Sequence, residues 1–167
     1  RTSDTELRLA QTFPGSPAAD AGMDRGDTLL SVNGKAVADL LRTGEIGTLH
    51  QVGIREHREP FYPKVGDWNR FNANTGGTLV EKCCHYFNLM DFILKEEPTR
   101  VFASGGQRVN HLDEKYEGKT PDILDSAYVI VEYPSGARAS LDLCMFAENS
   151  IDNEHVVIVG DQGKLES

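Results

Sequence analysis

Glu81 and His85 stand four residues apart in the stretch Gly76-Gly77-Thr78-Leu79-Val80-Glu81-Lys82-Cys83-Cys84-His85-Tyr86-Phe87-Asn88-Leu89-Met90-Asp91. On a helix that spacing puts both side chains on one side, one turn above the other. A carboxylate one turn from an imidazole, just past a glycine-loosened loop, is an arrangement from which acid–base chemistry can be run. Leu79, Val80, Cys83, Cys84, Phe87, Met90 and Leu94 recur at three- and four-residue steps, which predicts a single amphipathic helix over about residues 79 to 94. Thr78 and Glu81 also have the spacing of a capping box, in which the two side chains reciprocally close the helix start; capping and catalytic roles can coexist. His85, taken alone, reads first as a structural histidine.

The elements around this helix must hold it in place. Residues 46 to 61 alternate as a strand, with His50, Val52, Ile54 and Glu56 on one side of it, while Arg55-Glu56-His57-Arg58 reads as a charged face. The loop of about 15 residues from Pro63 to Gly77 carries Lys64, Asp67, Asn69, Arg70, Asn72, Asn74 and the only tryptophan, Trp68. Loops so long and so polar are more often functional than idle. Strands are expected over 99 to 104, 127 to 133, 137 to 146 and 155 to 160. A polar excursion occupies 105 to 126, and Pro134-Ser135-Gly136 makes a hairpin turn. Asp113-Glu114-Lys115 reads as solvated loop, and His111 receives no role. One long helix on a mainly antiparallel sheet gives an α+β fold.

The 167 residues allow one good-sized domain or two small ones, and 39% hydrophobic with 26% charged residues is ordinary for a soluble globular protein. No apolar run approaches the ~18 residues needed to cross a bilayer, and no apolar signal core follows Arg1, so the cytoplasm is the expected location. A net charge of −9 without a basic stripe argues against nucleic acid and anionic membranes as partners. Cys83, Cys84 and Cys144 do not make a disulfide framework. A zinc site built from them with His85 is disfavoured, because neighbouring helix residues point about 100° apart; small buried thiols explain the same residues, and no metal is expected.

Residues 7 to 43 have a different character. Pro14-Gly15-Ser16-Pro17-Ala18, then Ala21-Gly22-Met23, then Gly26-Asp27-Thr28-Leu29-Leu30-Ser31-Val32-Asn33-Gly34-Lys35 resembles part of a PDZ domain of the bacterial protease and chaperone kind. The segment has about half the length of such a domain, without the strand and loop that receive a peptide carboxylate. A helix beginning near Ala38 and ended by Gly44 closes it. The boundary between this partial PDZ-like segment and the remainder of the chain is set at 43/44.

From residue 44 onward a second resemblance covers about three quarters of the chain. Gly47, Ile54-Arg55-Glu56-His57-Arg58, Pro60-Phe61, Asp67-Trp68-Asn69-Arg70, Thr75-Gly76-Gly77-Thr78-Leu79-Val80-Glu81-Lys82-Cys83-Cys84-His85, Asp125, Tyr133-Pro134-Ser135-Gly136-Ala137-Arg138 and Val159-Gly160-Asp161-Gln162-Gly163-Lys164-Leu165-Glu166 together resemble the C-terminal domain of the glucose–fructose oxidoreductase / inositol dehydrogenase / MocA family. The resemblance implies hydride transfer between NAD or NADP and a hydroxyl carbon of a sugar or cyclitol. In that family this domain shapes the substrate pocket and forms oligomer contacts. It implies a general base at His85 and an orienting or hydroxyl-binding group at Glu81, with Trp68, Asn69 and Arg70 on the substrate-side loop. The family's aspartate three residues after the histidine is replaced by Asn88, which hydrogen-bonds but accepts no proton.

The family's glycine-rich dinucleotide loop and its Glu-Lys-Pro lysine are not found in these 167 residues. The chain therefore reads as truncated and joined, and in isolation it is not expected to hold NAD productively. Two other readings stand beside the oxidoreductase one. In the first, a PDZ-type peptide-binding module is fused to a non-catalytic sheet domain. In the second, a non-functional fusion exposes apolar sheet where missing parts would sit.

Overall fold

The computed structural model describes residues 37–151 and 153–166. Most of the PDZ-like segment, including the expected strand at 7 to 10, the helix capped by Ser16 and the Asn33-Gly34 hairpin, lies outside the described residues. The helix expected near Ala38 lies within them as α1 (Val37–Thr43), and Gly44 follows it at φ +69°. The described residues form two compact units, one of 37–49 with 159–165, the other of 50–158 with 166.

The first unit is a short chain crossing zipped to a turn. Thr48 N–H donates to Asp161 Oδ1 at 2.9 Å, Asp161 N–H to Thr48 O at 3.1 Å, and Gln162 N–H to Ile46 O at 3.0 Å. The backbones approach so closely that a Cβ on Gly160 would lie 1.9 Å from Ile46 O, so only glycine fits there.

Six strands form one sheet: β1 (Leu49–His57), β2 (Arg100–Gly106), β3 (Ser126–Glu132), β4 (Arg138–Cys144), β5 (Glu154–Gly160) and β6 (Lys164–Glu166), in the order β2-β3-β4-β1-β5-β6. β2, β3 and β4 run as an antiparallel meander, with Phe102 opposite Ile130 and Val129 opposite Leu141. The hairpin expected at Pro134-Ser135-Gly136 is present: Gly136 N–H donates to Tyr133 O at 3.0 Å and Tyr133 N–H to Ala137 O at 3.1 Å. β1 lies parallel to β4, Ile54 against Leu141, so the sheet is mixed. Alternation tells which face a residue takes but not which way the neighbouring strand runs.

One face of this sheet is the core of the second unit. Val52 and Ile54 of β1, Ala127, Val129 and Val131 of β3, and Ala139, Leu141 and Leu143 of β4 are buried on it. Each large aliphatic side chain there contributes roughly 1.5–3 kcal/mol. The helical layer supplies Tyr86, Met90 and Ile93 to the interior, and Tyr133 OH ties it to the hairpin by donating to Asp91 Oδ1 at 2.8 Å. On the opposite face Phe102, Tyr128 and Ile130 are exposed.

The single helix expected over 79 to 94 is two helices. A four-residue turn, α2 (Asn72–Thr75), precedes α3 (Thr78–Glu81), and α4 (Cys84–Leu94) follows a break at Lys82 and Cys83, where Cys83 has φ −104° and ψ −3°. The capping box does not form either. Thr78 Oγ1 donates to Leu124 O, Glu81 binds Lys64, and the cap residue is Gly77. Thr78 is buried, so its hydroxyl goes to the carbonyl available in the interior.

The polar excursion between β2 and β3 folds around Asp125. Its carboxylate accepts the N–H groups of Arg108, Val109 and Asn110 at 2.7–3.1 Å, while Asn110 Nδ2 donates to Met145 O at 2.6 Å. Burial raises the Asp125 pKa, but the three N–H donors and the Ser126 hydroxyl more than reverse this, leaving it below its ordinary value. Its stabilisation is therefore present above the ordinary carboxylate pKa and is lost as pH falls. Asp125→Ala is expected to cost about 2–3 kcal/mol by orphaning these donors. A lower urea midpoint at unchanged slope is the expected result, with Asp125→Asn milder; an unchanged midpoint would refute this role.

Candidate functional site

The loop from Lys64 to Gly77 is built by left-handed turns. Within the 3-10 segment Val65–Arg70, Gly66 and Asp67 take φ +67° and +50°, turning the chain so that Trp68 comes to the surface while Asn69 and Arg70 go inward. Asn69 Nδ2 donates to Tyr62 O at 3.1 Å, and Arg70 Nη2 to Phe61 O at 3.2 Å. Asn72 clamps the next turn, its N–H reaching Asp122 Oδ1 and its Nδ2 reaching Asp122 O, both at 2.7 Å. Gly76 and Gly77 then take φ +77° and +88°; a Cβ on Gly77 would lie 2.5 Å from Asn72 Oδ1.

Arg70 enters a network that its position in the sequence does not announce. Glu114 accepts from Arg70 Nε at 3.1 Å and from Tyr116 OH at 2.6 Å, and its other oxygen lies 2.8 Å from His111 Nδ1. Burial raises the Glu114 pKa; hydrogen bonds from Tyr116, His111 and Arg70 overcome that and bring it to about 2. Neither the solvated-loop reading of Glu114 nor the absence of a role for His111 survives.

Glu81 and Trp68 are brought together by Lys64. Its Nζ lies 2.7 Å from Glu81 Oε1 and 4.8 Å from the centroid of the Trp68 ring, which is 39% exposed. The ammonium thus spans the loop and α3, combining a charge-assisted hydrogen bond with a cation–π contact. Nothing in the residue spacing predicts Lys64 there.

His85 sits beyond the helix break. Its ring is half-buried and lies 4.1 Å, centroid to centroid, from the ring of Tyr86. Among the described residues its Nε2 is shut off from solvent and has no hydrogen-bond partner. Burial and the Lys82 ammonium hold the imidazole below its ordinary pKa, while Glu56 pulls it up. Asn88, one turn further along α4, is exposed. Glu81 and His85, expected one turn apart on one helix, stand on two helices, each with its own surroundings.

Beneath them lies a buried charged cluster. Glu56 is fully buried, 2.8 Å from Lys82 Nζ, and accepts from Arg58 Nη1 at 3.5 Å. The Tyr86 hydroxyl lies against Glu56 and Glu154 without closing a well-formed hydrogen bond; burial first, then the two carboxylates, raises its pKa. Burial and Glu56 likewise raise Glu154. The charged-face reading of Arg55-Glu56-His57-Arg58 therefore fails for Glu56 and Arg58. Cys83 is buried, its thiol pushed up to about 12 by burial first and Glu56 second, whereas Cys84 is exposed.

Residues 38–167 match the family model described as "Oxidoreductase family, C-terminal alpha/beta domain", and the chain belongs to this family. A PDZ domain model matches residues 13–53. Myo-inositol 2-dehydrogenase from Thermotoga maritima is 30% identical over 133 residues, 80% of this chain and 36% of that protein. Two solved structures share the fold. Aldose-aldose oxidoreductase from Caulobacter crescentus, complexed with glycerol, has a TM-score of 0.59 at 21% identity, over 77% of this chain and 35% of that one. GenD2 from gentamicin A biosynthesis, in complex with NAD, has a TM-score of 0.61 at 24% identity, over 77% and 34%. The chain spans just over a third of the length of the curated relatives it matches. Among the described residues no helix is long and apolar enough to cross a membrane.

The Glu114 network makes a prediction of its own. With a folded pKa of about 2 against an ordinary 4.5, Glu114 contributes stability that is present above about pH 4.5 and is lost as pH falls towards 2. Thermal denaturation across this range should show Glu114→Gln lowering the midpoint at pH 7 by about 3 °C, with the difference vanishing near pH 2. Equal midpoints at pH 7 would remove Glu114 from the fold's electrostatics.

Proposed function

We propose that residues 44–167 are the substrate and proton-handling domain of an NAD(P)-dependent oxidoreductase acting on a hydroxyl carbon of a sugar or cyclitol, and that residues 1–43 are a partial PDZ-like segment. The observation that carries this reading is the orphaned Nε2 of His85 in a chain of this family. A buried polar atom without a partner requires an explanation; a substrate hydroxyl donating to it supplies one, once the groups that shut Nε2 off from solvent move aside. A neutral imidazole with a lowered pKa is the form able to accept that proton at neutral pH.

Glu81, freed from Lys64, can accept a hydrogen bond from a second hydroxyl. The exposed ring of Trp68 and the amide of Asn88 offer a stacking surface and a hydrogen-bonding group to a polyol. Asn69 and Arg70, engaged with Tyr62, Phe61 and Glu114, serve binding by fixing the loop that carries Trp68. NAD or NADP, when bound, supplies the hydride acceptor. The described residues offer it no phosphate cradle, since Gly76-Gly77 leads into a helix of four residues and Gly77 packs against Asn72. Its dinucleotide site therefore belongs to residues other than those described. The exposed Phe102, Tyr128 and Ile130 support a homo-oligomer formed through the open sheet face.

A second reading, peptide capture by strand addition, is favoured by the PDZ match over 13–53. The described strand of that match, residues 49–53, lies in β1 between β4 and β5 and offers no free edge.

The test is steady-state turnover of myo-inositol and of aldoses with NAD⁺ and NADP⁺ by the complete protein. His85→Ala is expected to lower kcat by roughly 10²–10⁴-fold, as loss of a general base does. Asn88→Ala should act mainly on KM. A His85→Ala protein with wild-type kcat would refute the assignment.

A further inference from the structure

The charges beneath α4 are paired, buried and given no task by the proton transfer itself. Glu56 shares the core face of β1 with Val52 and Ile54 and has no exposed surface. A carboxylate placed there costs several kcal/mol unless it is paired and hydrogen-bonded. Lys82 Nζ at 2.8 Å and Arg58 Nη1 at 3.5 Å meet the same oxygen, Oε1. Lys82 is itself nearly buried, its side chain 11% exposed. It stands at the break between α3 and α4, and the pair therefore ties that break to β1.

His85 lies three residues after Lys82, in the first turn of α4. Ionisable groups come to this region from three directions: Glu56 and Arg58 from β1 and its end, Glu154 from β5, and Lys82, Cys83 and Tyr86 from the helical segment. The Cys83 thiol and Tyr86 phenol are raised and stay neutral at pH 7, and Glu154 is raised as well. Lys82 and Glu56 are the charges that act on the imidazole, in opposite senses.

We propose that the Glu56–Lys82 ion pair is a positioning device for His85: it anchors the helix break so that Nε2 is left without a partner among the described residues, and it keeps an ammonium in the ring's surroundings that opposes a second positive charge. The proposal deepens the proton-acceptor role assigned to His85 and rests on it. Neither Lys82 nor Glu56 touches the substrate in this account; both act through the imidazole.

The experiment is a pH titration of the His85 ring carbon resonances by NMR, on the whole 167-residue chain, in the parent and in Lys82→Met, Glu56→Gln and Lys82→Arg. Lys82→Met removes the opposing cation and should raise the His85 midpoint by roughly half a pH unit or more. Glu56→Gln removes the anion and should lower it. Lys82→Arg keeps the charge and should hold the parent midpoint. A merely structural pair predicts otherwise: either neutralising change would loosen the break, admit water to the ring and move the midpoint up towards about 6.5. A rise in both, or no movement in either, overturns the proposal. Should the Met and Gln variants not fold, Lys82→Arg still tests the proposal, because a raised midpoint there overturns it. The titration needs no turnover, so failure of the oxidoreductase reading appears in the kinetics of His85→Ala and not here.

Discussion

A carboxylate with no exposed surface on the core face of β1 is the constraint around which the second unit is arranged. Glu56 occupies a place that periodicity gives to an aliphatic residue, between the sheet and the helical layer. Removing one partner of such a pair typically costs about 3–5 kcal/mol, because an uncompensated charge is left in the interior. The helical segment therefore cannot slide or turn freely over the sheet. Lys82 has to reach Glu56, and it does so from the point where the helix is interrupted. Met90 and Ile93 pack apolar surface against the sheet, and the ion pair adds a directional contact between Lys82 and β1.

Glu81 and His85, which a continuous helix would have stacked, stand on two helices in different surroundings. Glu81 ends α3 and is held by Lys64, next to an exposed tryptophan. His85 lies in the first turn of α4, half-buried, with one nitrogen unpartnered among the described residues. The first environment is polar and near solvent; the second is drier and disfavours a protonated ring. Under the proposed function the two groups take different parts in one reaction, His85 accepting the proton of one hydroxyl and Glu81 a hydrogen bond from a second. The loop between Lys64 and Gly77 keeps the first environment in place through Asn69, Arg70 and Asn72, whose hydrogen bonds are spent inside the protein.

Much of this fold is legible in the sequence, because alternation and turn chemistry are local. β3, β4 and their hairpin can be read from Tyr128 to Phe146, and the Gly76-Gly77 turn from its glycines. The helix break is not legible: Leu79, Val80, Cys83 and Phe87 keep helical spacing straight through it, and Lys82, which stands at the interruption, pairs with Glu56 across the fold. Glu56 itself is in phase with Val52 and Ile54, and that phase outweighs its charge. The Glu114 hub and the Lys64 bridge join residues 44 and 17 positions apart, contacts that spacing alone does not encode. Family resemblance singles out His85, Glu81 and Trp68, while the ion pair beneath them comes from tertiary structure alone.

The claim that matters most is that His85 presents an unprotonated, unpartnered Nε2 at neutral pH. Nitrogen NMR of the imidazole, in the ¹⁵N-labelled chain at pH 7, measures this directly. The account predicts a bare Nε2 with the shift of a nitrogen lacking a hydrogen bond, and the ring proton on Nδ1. A protonated Nε2, or a fully charged imidazolium at that pH, would contradict it and leave His85 a structural residue.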